Sequence, residues 1–477
     1  MRHILFAIIA TAALCCGIFT SCIDDDFTTS TSDRLAFSVD TLSFDTIFTG
    51  TGTPTARLLV FNRAKKSIRI SEIRMKDDNS CFRMNVDGQS GDIFHDVEIR
   101  GEDSIYMFVE CLLPETSGDK PYLREDAIEF VTNGNRQEVV LQAYGRNVTR
   151  LRAQRVERDM TLTPDRPYVV FDSLVVAPGA TLTVEPGTQL LFHDKASMRV
   201  YGRLEAKGTA EKKIQMRGDR LDDVLPDVGY DILAGQWKGV SFAPESFGNV
   251  MEYVDMRSTS DGLRVDSCGN LSQRKLLLVN SWLHNSQNNV LRSEHAWIDA
   301  LGCCFSEAAD NVVSLTGGRH LFTQCTFSNY YLFSYTGQPI LGLYNVTAEE
   351  VEASGMPAMQ ARFENGIVYG MTPDINVGDL TDTQVFMYNM LFKSQGDNDD
   401  HFLNCIWDAD PLFLTVRNDY YFNYHVQPDS PALDAGNPQF VTPECRYDMD
   451  GVDRLAASPF PTLGAYARPE EPAAPAN

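Results

Sequence analysis

Several features that would narrow the chemistry of this chain are missing from it. It has no GxSxG, no P-loop and no HExxH, so nucleophile-elbow hydrolysis, Walker-type phosphate binding and zincin chemistry have no basis in the sequence. Its 11 cysteines include no CxxC pair and no His/Cys group at zinc spacing, which argues against a structural metal. Positive charge is scarce: 41 Lys and Arg stand against 65 Asp and Glu, a formal net charge of -24. Such a chain repels phosphate backbones, so no nucleic-acid partner is expected, and a polyanionic substrate such as pectate or alginate is made less favourable. After Phe19 no apolar run is long enough to cross a bilayer.

What is present points first to export. Arg2 and His3 precede an apolar run from Ile4 to Phe19 that ends in Phe19-Thr20-Ser21-Cys22, the pattern of a secretory signal. Those last four residues resemble the lipobox of bacterial lipoproteins. The resemblance implies a signal peptide over 1–21 and Cys22 as the lipidated first residue of the mature chain, attached to the membrane through that lipid. Ile23-Asp24-Asp25-Asp26 is similar to the acidic export tag of Bacteroidetes surface lipoproteins, which implies display on the outer face of the outer membrane. Residues 22–32 read as a tether.

At 477 residues two folded units are expected. In the first, 33–148, seven short segments alternate apolar and polar residues between Gly, Asn, Asp and Pro turns: 35–39, 58–61, 68–70, 97–99, 105–109, 127–131 and 139–141. This describes an all-β sandwich of two antiparallel sheets. The stretch from Leu42 to Gly50 running into Leu58 to Asn62 resembles the immunoglobulin-like modules that precede repeat domains in Bacteroidetes surface proteins. Cys81 and Cys111 form a candidate disulfide within it.

The second unit is organised by a returning figure: VNSWL, GCCF, QCTF, YNVT, ENGIV, YNML and LNCIW. Aligned on Asn280, Cys303, Cys325, Asn345, Asn365, Asn389 and Asn404, it recurs at steps of 23, 22, 20, 20, 24 and 15 residues. A period in the twenties without helical spacing predicts a coiled sheet in which each repeat is one level, ~12 levels in all. The column is expected to be a structural ladder in which each amide bonds its own turn and its neighbours. The Pro-Gly corners from Leu174 to Thr209 and the segment Gly235-Gln236-Trp237-Lys238-Gly239-Val240 resemble opening levels of right-handed parallel β-helix proteins of the pectin-lyase-like superfamily. That resemblance implies such a helix over 149–436. Ser430-Pro431-Ala432-Leu433-Asp434-Ala435-Gly436, the Asp448–Arg454 stretch and Leu463-Gly464-Ala465-Tyr466 look like the closing segment of secreted members, implying a cap over 437–468. The Pro/Ala-rich 469–477 reads as a disordered tail.

Three acidic sets are candidates for chemistry. Asp448, Asp450 and Asp453 have a spacing suggestive of a calcium loop, but no distal Glu follows and a turn within the closing segment is the favoured reading, so no cofactor is expected, with calcium as the alternative. Asp397, Asp399, Asp400 and His401 form a loop between repeats; a solvated loop is the favoured reading, with no catalytic set expected, and these four are the candidates if the chain is an enzyme. Asp261 and Asp266, an odd number of residues apart, fall on opposite faces of a regular strand. His284, His295, Tyr330 and Tyr331 could line a groove. Trp282, Trp297 and Trp407 could stack sugars if they point outward, and Trp282 is expected to point inward. The expected role is a surface lipoprotein that binds a glycan or another surface protein without catalysis. The rival class is a polysaccharide lyase or glycoside hydrolase acting in a groove of the coil, and a structural stalk is a third.

Overall fold

The computed structural model describes residues 26–468, apart from Pro54, Pro226, Gly269 and Asn270. The expected signal, Cys22 and the tail 469–477 lie outside the described residues. The chain divides into two compact units between Asn147 and Val148. Nearly every regular element among the described residues is a strand, and the only α-helix is Ala348–Ser354. No described helix is long and apolar enough to cross a membrane.

In the first unit, ten strands make two five-stranded sheets. One runs Leu35–Phe37, Ala56–Asn62, Ser104–Cys111, Phe82–Val86, Gln89–Gly91, all antiparallel. The other runs Thr41–Phe48, Asn135–Arg146, Tyr122–Thr132, Ile68–Met75, Ile93–Ile99, with Thr41–Phe48 joining in parallel at its edge. Alternation sets what is buried: along Ser104–Cys111, Ile105, Met107, Val109 and Cys111 go in while Tyr106 and Phe108 stay out. Side chains of both sheets, among them Val60, Met107, Ile73 and Phe130, share one core. The sulfurs of Cys81 and Cys111 lie 3.9 Å apart and unbonded, so the candidate disulfide is corrected to a thiol pair.

The second unit consists mainly of a 17-stranded and a ten-stranded parallel sheet. Each strand pairs in register with the strand one repeat later. One series is Leu276–Val279, Trp297–Leu301, Arg319–Thr323, Gln360–Glu364 and Gln384–Tyr388. A second is Val254–Thr259, Trp282–Ser286, Cys304–Ala308, Thr326–Asn329 and Ile367–Gly370. Equivalent side chains therefore stack: Leu283, Phe305, Phe327 and Val368 form one column, and Phe322 lies over Phe363 with ring centres 5.2 Å apart. The ten-stranded sheet has ten levels rather than ~12. Excursions such as 219–236 and 345–359, and the long segment after Leu403, consume the difference.

The corner column needs two corrections. The residue that turns the chain at each level is left-handed, with φ of 43° at Asn280, 68° at Gly302, 54° at Gln324, 60° at Asn345, 52° at Asn365, 51° at Asn389 and 54° at Asn404. Asn tolerates this region better than most residues and Gly adopts it freely, hence the recurrence. Cys303 and Cys325 are not members of the column: they follow it by one residue and point inward, fully buried, as Ser281 does. Nor do the amides mainly bond one another. Asn280 donates to Tyr447 O (3.0 Å), Asn365 to Asn437 O (2.9 Å) and Asn389 to Ala435 O (3.0 Å). Asn345 instead holds its own loop through Pro357 O (2.8 Å).

Tyr447, Asn437 and Ala435 belong to the C-terminal segment, and the expected cap is corrected accordingly. It touches successive levels along the side, from Lys213, paired with Asp450 at 3.1 Å, to Asn389. Buried Arg454 fastens it by donating to Cys445 O, Gly464 O and Ala465 O at 3.0, 3.2 and 2.6 Å. Phe413, Tyr424, Val426, Ala432, Met449, Leu463 and Ala465 form a second core with Cys304, Ile367 and Leu391 of the sheet's outer face. A sheet face that would otherwise be wet and apolar is thus covered.

Candidate functional site

A pocket of about 280 Å³ opens on the outer face of the larger sheet, just below the ~300–1,000 Å³ usual for ligand sites. Its floor comes from adjacent levels: Arg257 on Val254–Thr259, Trp282 and His284 on Trp282–Ser286, Glu307 on Cys304–Ala308. The register sets Arg257 opposite His284 and His284 opposite Ser306. One wall is the 3₁₀ turn Tyr230–Ile232, tied down where Ser258 and Asn285 donate to Asp231 O (2.7 and 2.8 Å) and Asn285 donates also to Ile232 O (3.0 Å). The opposite wall is Tyr331 and Leu332, with Tyr420, Tyr421 and Phe422 from the C-terminal segment.

The floor is a chain of charges. The Asp231 carboxylate lies 3.1 Å from Arg217 Nη1 and 3.0 Å from Arg257 Nε. Arg257 also pairs with Asp255, whose other oxygen is 3.2 Å from His284 Nε2. His284 Nδ1 faces Glu307 Oε2 at 4.0 Å, and Trp282 stacks on the imidazole at 4.0 Å. Trp282 Nε1 donates to Ser306 Oγ at 2.8 Å. Burial works against the Asp255 charge, but Arg257 and His284 outweigh it and hold this carboxyl well below its usual range. Burial, opposed by Asp255, keeps His284 below its ordinary value and therefore neutral.

Glu307 differs from the other carboxylates. It has a φ of 54°, in a region that costs a non-glycine residue roughly 1 kcal/mol or more. Tyr424 donates to its Oε1, while its buried Oε2 has no hydrogen-bond partner among the described residues. Burial pushes its carboxyl up to about 8.

Of the sequence-derived candidates, His284 and Tyr331 are in this pocket, and so is Trp282, which lies on the outer face rather than in the core. Tyr330 is tucked against the C-terminal segment. His295 sits beside Gly317, and Trp297 is on the other sheet under Arg319. Trp407 stacks on Phe392 against the interior core.

The loop 397–401 brings no catalytic set together. Asp399 accepts from the backbone of His401 and Phe402 at 2.7 and 2.8 Å, and His401 bonds Val385 O and stacks on Phe386. Asp397 and Asp400 are exposed. Asp261 pairs with Lys238 and Asp266 with Arg264.

Asp448, Asp450 and Asp453, the calcium candidates, are each matched to protein donors. Asp448 accepts from the backbone of Asp450, Val452 and Ala467; Asp450 pairs with Lys213 and His425; Asp453 pairs with Arg446. These carboxylates are directed at protein donors and do not converge on a cation. No cluster able to hold a metal occurs among the described residues.

Asp231, Asp255 and Glu307 were missed as a set. Counting four and five residues on from each corner finds Arg257-Ser258, His284-Asn285 and Ser306-Glu307, and a Glu in a Ser/Asn column was the available signal.

No family model matches the chain, and no curated protein does. Among solved structures, a family 123 glycoside hydrolase from Clostridium perfringens aligns over 26% of this chain and 26% of its own length, at 8% identity and a TM-score of 0.17. A PapD-like domain of human CEP192 aligns over 25% of this chain and 87% of its own, at 13% identity and a TM-score of 0.17. Likenesses this small carry no argument about the chain, which rests on its own geometry.

Proposed function

We propose that this is a lipid-anchored protein of the outer-membrane surface, held by Cys22, in which an immunoglobulin-like sandwich precedes a right-handed parallel β-helix, and that it binds a glycan in the pocket over Trp282 and His284. The in-register parallel pairing of repeat with repeat supports the helix, and the two-sheet core of the first unit supports the sandwich. The observation that carries the function is the combination of aromatic side chains, Trp282 in the floor and Tyr331, Tyr420 and Tyr421 in the wall, with buried polar groups beside them. Sugar rings present apolar C–H faces to aromatics and hydroxyls to polar groups, so such a site suits them.

The hydrolase or lyase reading has one observation in its favour, the convergence of Asp231, Asp255 and Glu307. Asp231 and Asp255 are both tied to Arg257, which leaves no second free carboxylate to pair with Glu307 as acid and base, so binding without turnover is the better-supported reading.

The test is a panel of plant, algal and host glycans offered to the full chain in detergent, scored for retention, new reducing ends and absorbance of unsaturated products. Retention without turnover is expected; new ends or unsaturation would overturn the binding reading, and neither signal would move the search to a protein partner. Separately, Cys22→Ser is expected to abolish incorporation of labelled palmitate and release the protein from the membrane; a variant still lipidated would sink the anchor.

A further inference from the structure

Among the described residues, Glu307 is the carboxylate of the pocket whose hydrogen-bonding demands the protein does not meet. Its side chain is nearly inaccessible, its Oε1 is occupied by the Tyr424 hydroxyl, and its Oε2 is buried without a partner. A buried polar atom left unpaired is destabilising, and a Glu in the left-handed region adds strain. Both costs fall on one residue that lines a cavity, where a bound molecule could relieve the first.

The charges around it restrict what that molecule can be. Among the described residues lining the pocket, Arg257 is the sole permanent cation, and its charge is already shared between Asp231 and Asp255. Arg217, behind it, is committed to Asp231. His284 is held neutral. A carboxylate or sulfate entering here would be desolvated with no cation to receive it. A neutral hydroxyl-bearing ring meets no such penalty and has oxygens that can accept.

Resting on the glycan reading above, we propose that the pocket selects a neutral sugar, and that the Glu307 carboxyl, protonated on Oε2, donates a hydrogen bond to a sugar oxygen while Trp282 and the tyrosines cover the ring. Uronic and sulfated sugars are excluded by the same surroundings. The division of labour within the carboxyl follows from Tyr424: its hydroxyl donates to Oε1, which leaves Oε2 to carry the proton. Burial, which pushes this carboxyl up to about 8, keeps that proton in place at neutral pH.

The groups facing Glu307 leave a clean window for a pH test. From its own strand Cys304 is raised well above its usual value by burial, and Tyr424 on the C-terminal strand is raised likewise. His284 and Asp255, from neighbouring strands, are lowered, Arg257 is raised by Asp255 and Asp231 against its burial, and Asp231 pairs with Arg217. Between pH 6 and 9 the change belongs to Glu307.

The experiment is calorimetric titration of the full chain in detergent with cellohexaose, laminarihexaose, mannohexaose, oligogalacturonate and chondroitin sulfate, at pH 6, 7.5 and 9, for the wild type and Glu307→Gln. Gln keeps a donor at every pH. The expected result is binding of a neutral oligomer alone, weakened about tenfold from pH 6 to 9 in the wild type and flat in Glu307→Gln, ~1.4 kcal/mol being tenfold. If Glu307→Gln does not fold, the wild-type pH profile carries the test alone. Preference for either acidic glycan, or an affinity that is flat or rises from pH 6 to 9, overturns the inference while leaving the glycan reading intact. Binding of none of the five, with the same result across the wider panel, sinks the reading itself.

Discussion

Two acidic clusters in the second unit carry the same number of carboxylates and have opposite characters. In the loop 448–453 every Asp is matched to donors supplied by the fold: three backbone N–H groups on Asp448, Lys213 and His425 on Asp450, Arg446 on Asp453. The result is a clasp. Asp450, chiefly through His425, is pulled down to about 2. In the pocket, Asp231 and Asp255 are matched in the same way, but Glu307 keeps one oxygen unmatched and is pushed in the other direction by burial. Counting carboxylates does not separate a clasp from a site; the hydrogen-bonding capacity left over does.

The strongest way to break this comparison is to remove the central carboxylate of the clasp and the aromatic side chain beside the pocket's acids. Asp448→Ala strands three N–H groups under the C-terminal segment and is expected to cost ~3 kcal/mol or more, lowering the unfolding midpoint of the second unit by several degrees. The folded fraction should keep its glycan affinity. Trp282→Ala is expected to reverse the pattern, with a smaller loss of stability and about tenfold weaker glycan binding, since a lost aromatic contact is worth ~0.5–1.5 kcal/mol. Trp297→Ala, on the other sheet, should leave affinity unchanged. Equal losses of affinity in the two Trp variants would remove the pocket as the binding site.

The stability of the two clusters should also respond to pH with opposite sign. Glu307 in the native state holds its proton up to about 8, whereas the unfolded chain gives it up near 4.5. Between those values the native state binds more protons, so stability falls as pH rises and levels off above about 8. Asp450 is lowered, to about 2 from 3.8, so its contribution is full above its unfolded value and is lost as pH falls through that interval. Melting temperatures at pH 5, 7 and 9 should decline in the wild type and decline less in Glu307→Gln. A parallel decline in both would assign the slope to other groups.

The repeat was legible because stacking forces it: one residue per level must turn the chain left-handed, and Asn recurs there. The same reading slipped by one residue at Gly302 and Gln324, where the turning residue is not Asn and the adjacent Cys303 and Cys325 caught the alignment. The pocket was less legible, for a physical reason. Its floor is spread over levels 22 to 27 residues apart, and Tyr424, which fixes the Glu307 carboxyl, lies 117 residues away in sequence. Glu307 itself sits in Cys304–Ala308, where every residue is buried, so no alternation announces it. The loop 397–401 attracted notice because its acids are contiguous, and contiguous acids are easily satisfied by their own turn.

That loop supplies the smallest expected effect and the most direct check on the distinction between clustered and unmet carboxylates. Asp397 and Asp400 are exposed and neither makes a hydrogen bond that orders the loop, so Asp397→Asn and Asp400→Asn should leave melting temperature and glycan affinity where they were. Asp399→Ala frees the N–H groups of His401 and Phe402 and should loosen the loop locally, seen as faster amide exchange at those two residues, again with no change in affinity. The pocket shares no residue with this loop, so a loss of glycan binding from any of the three would mean that the ligand is held at the far repeats and not over Trp282.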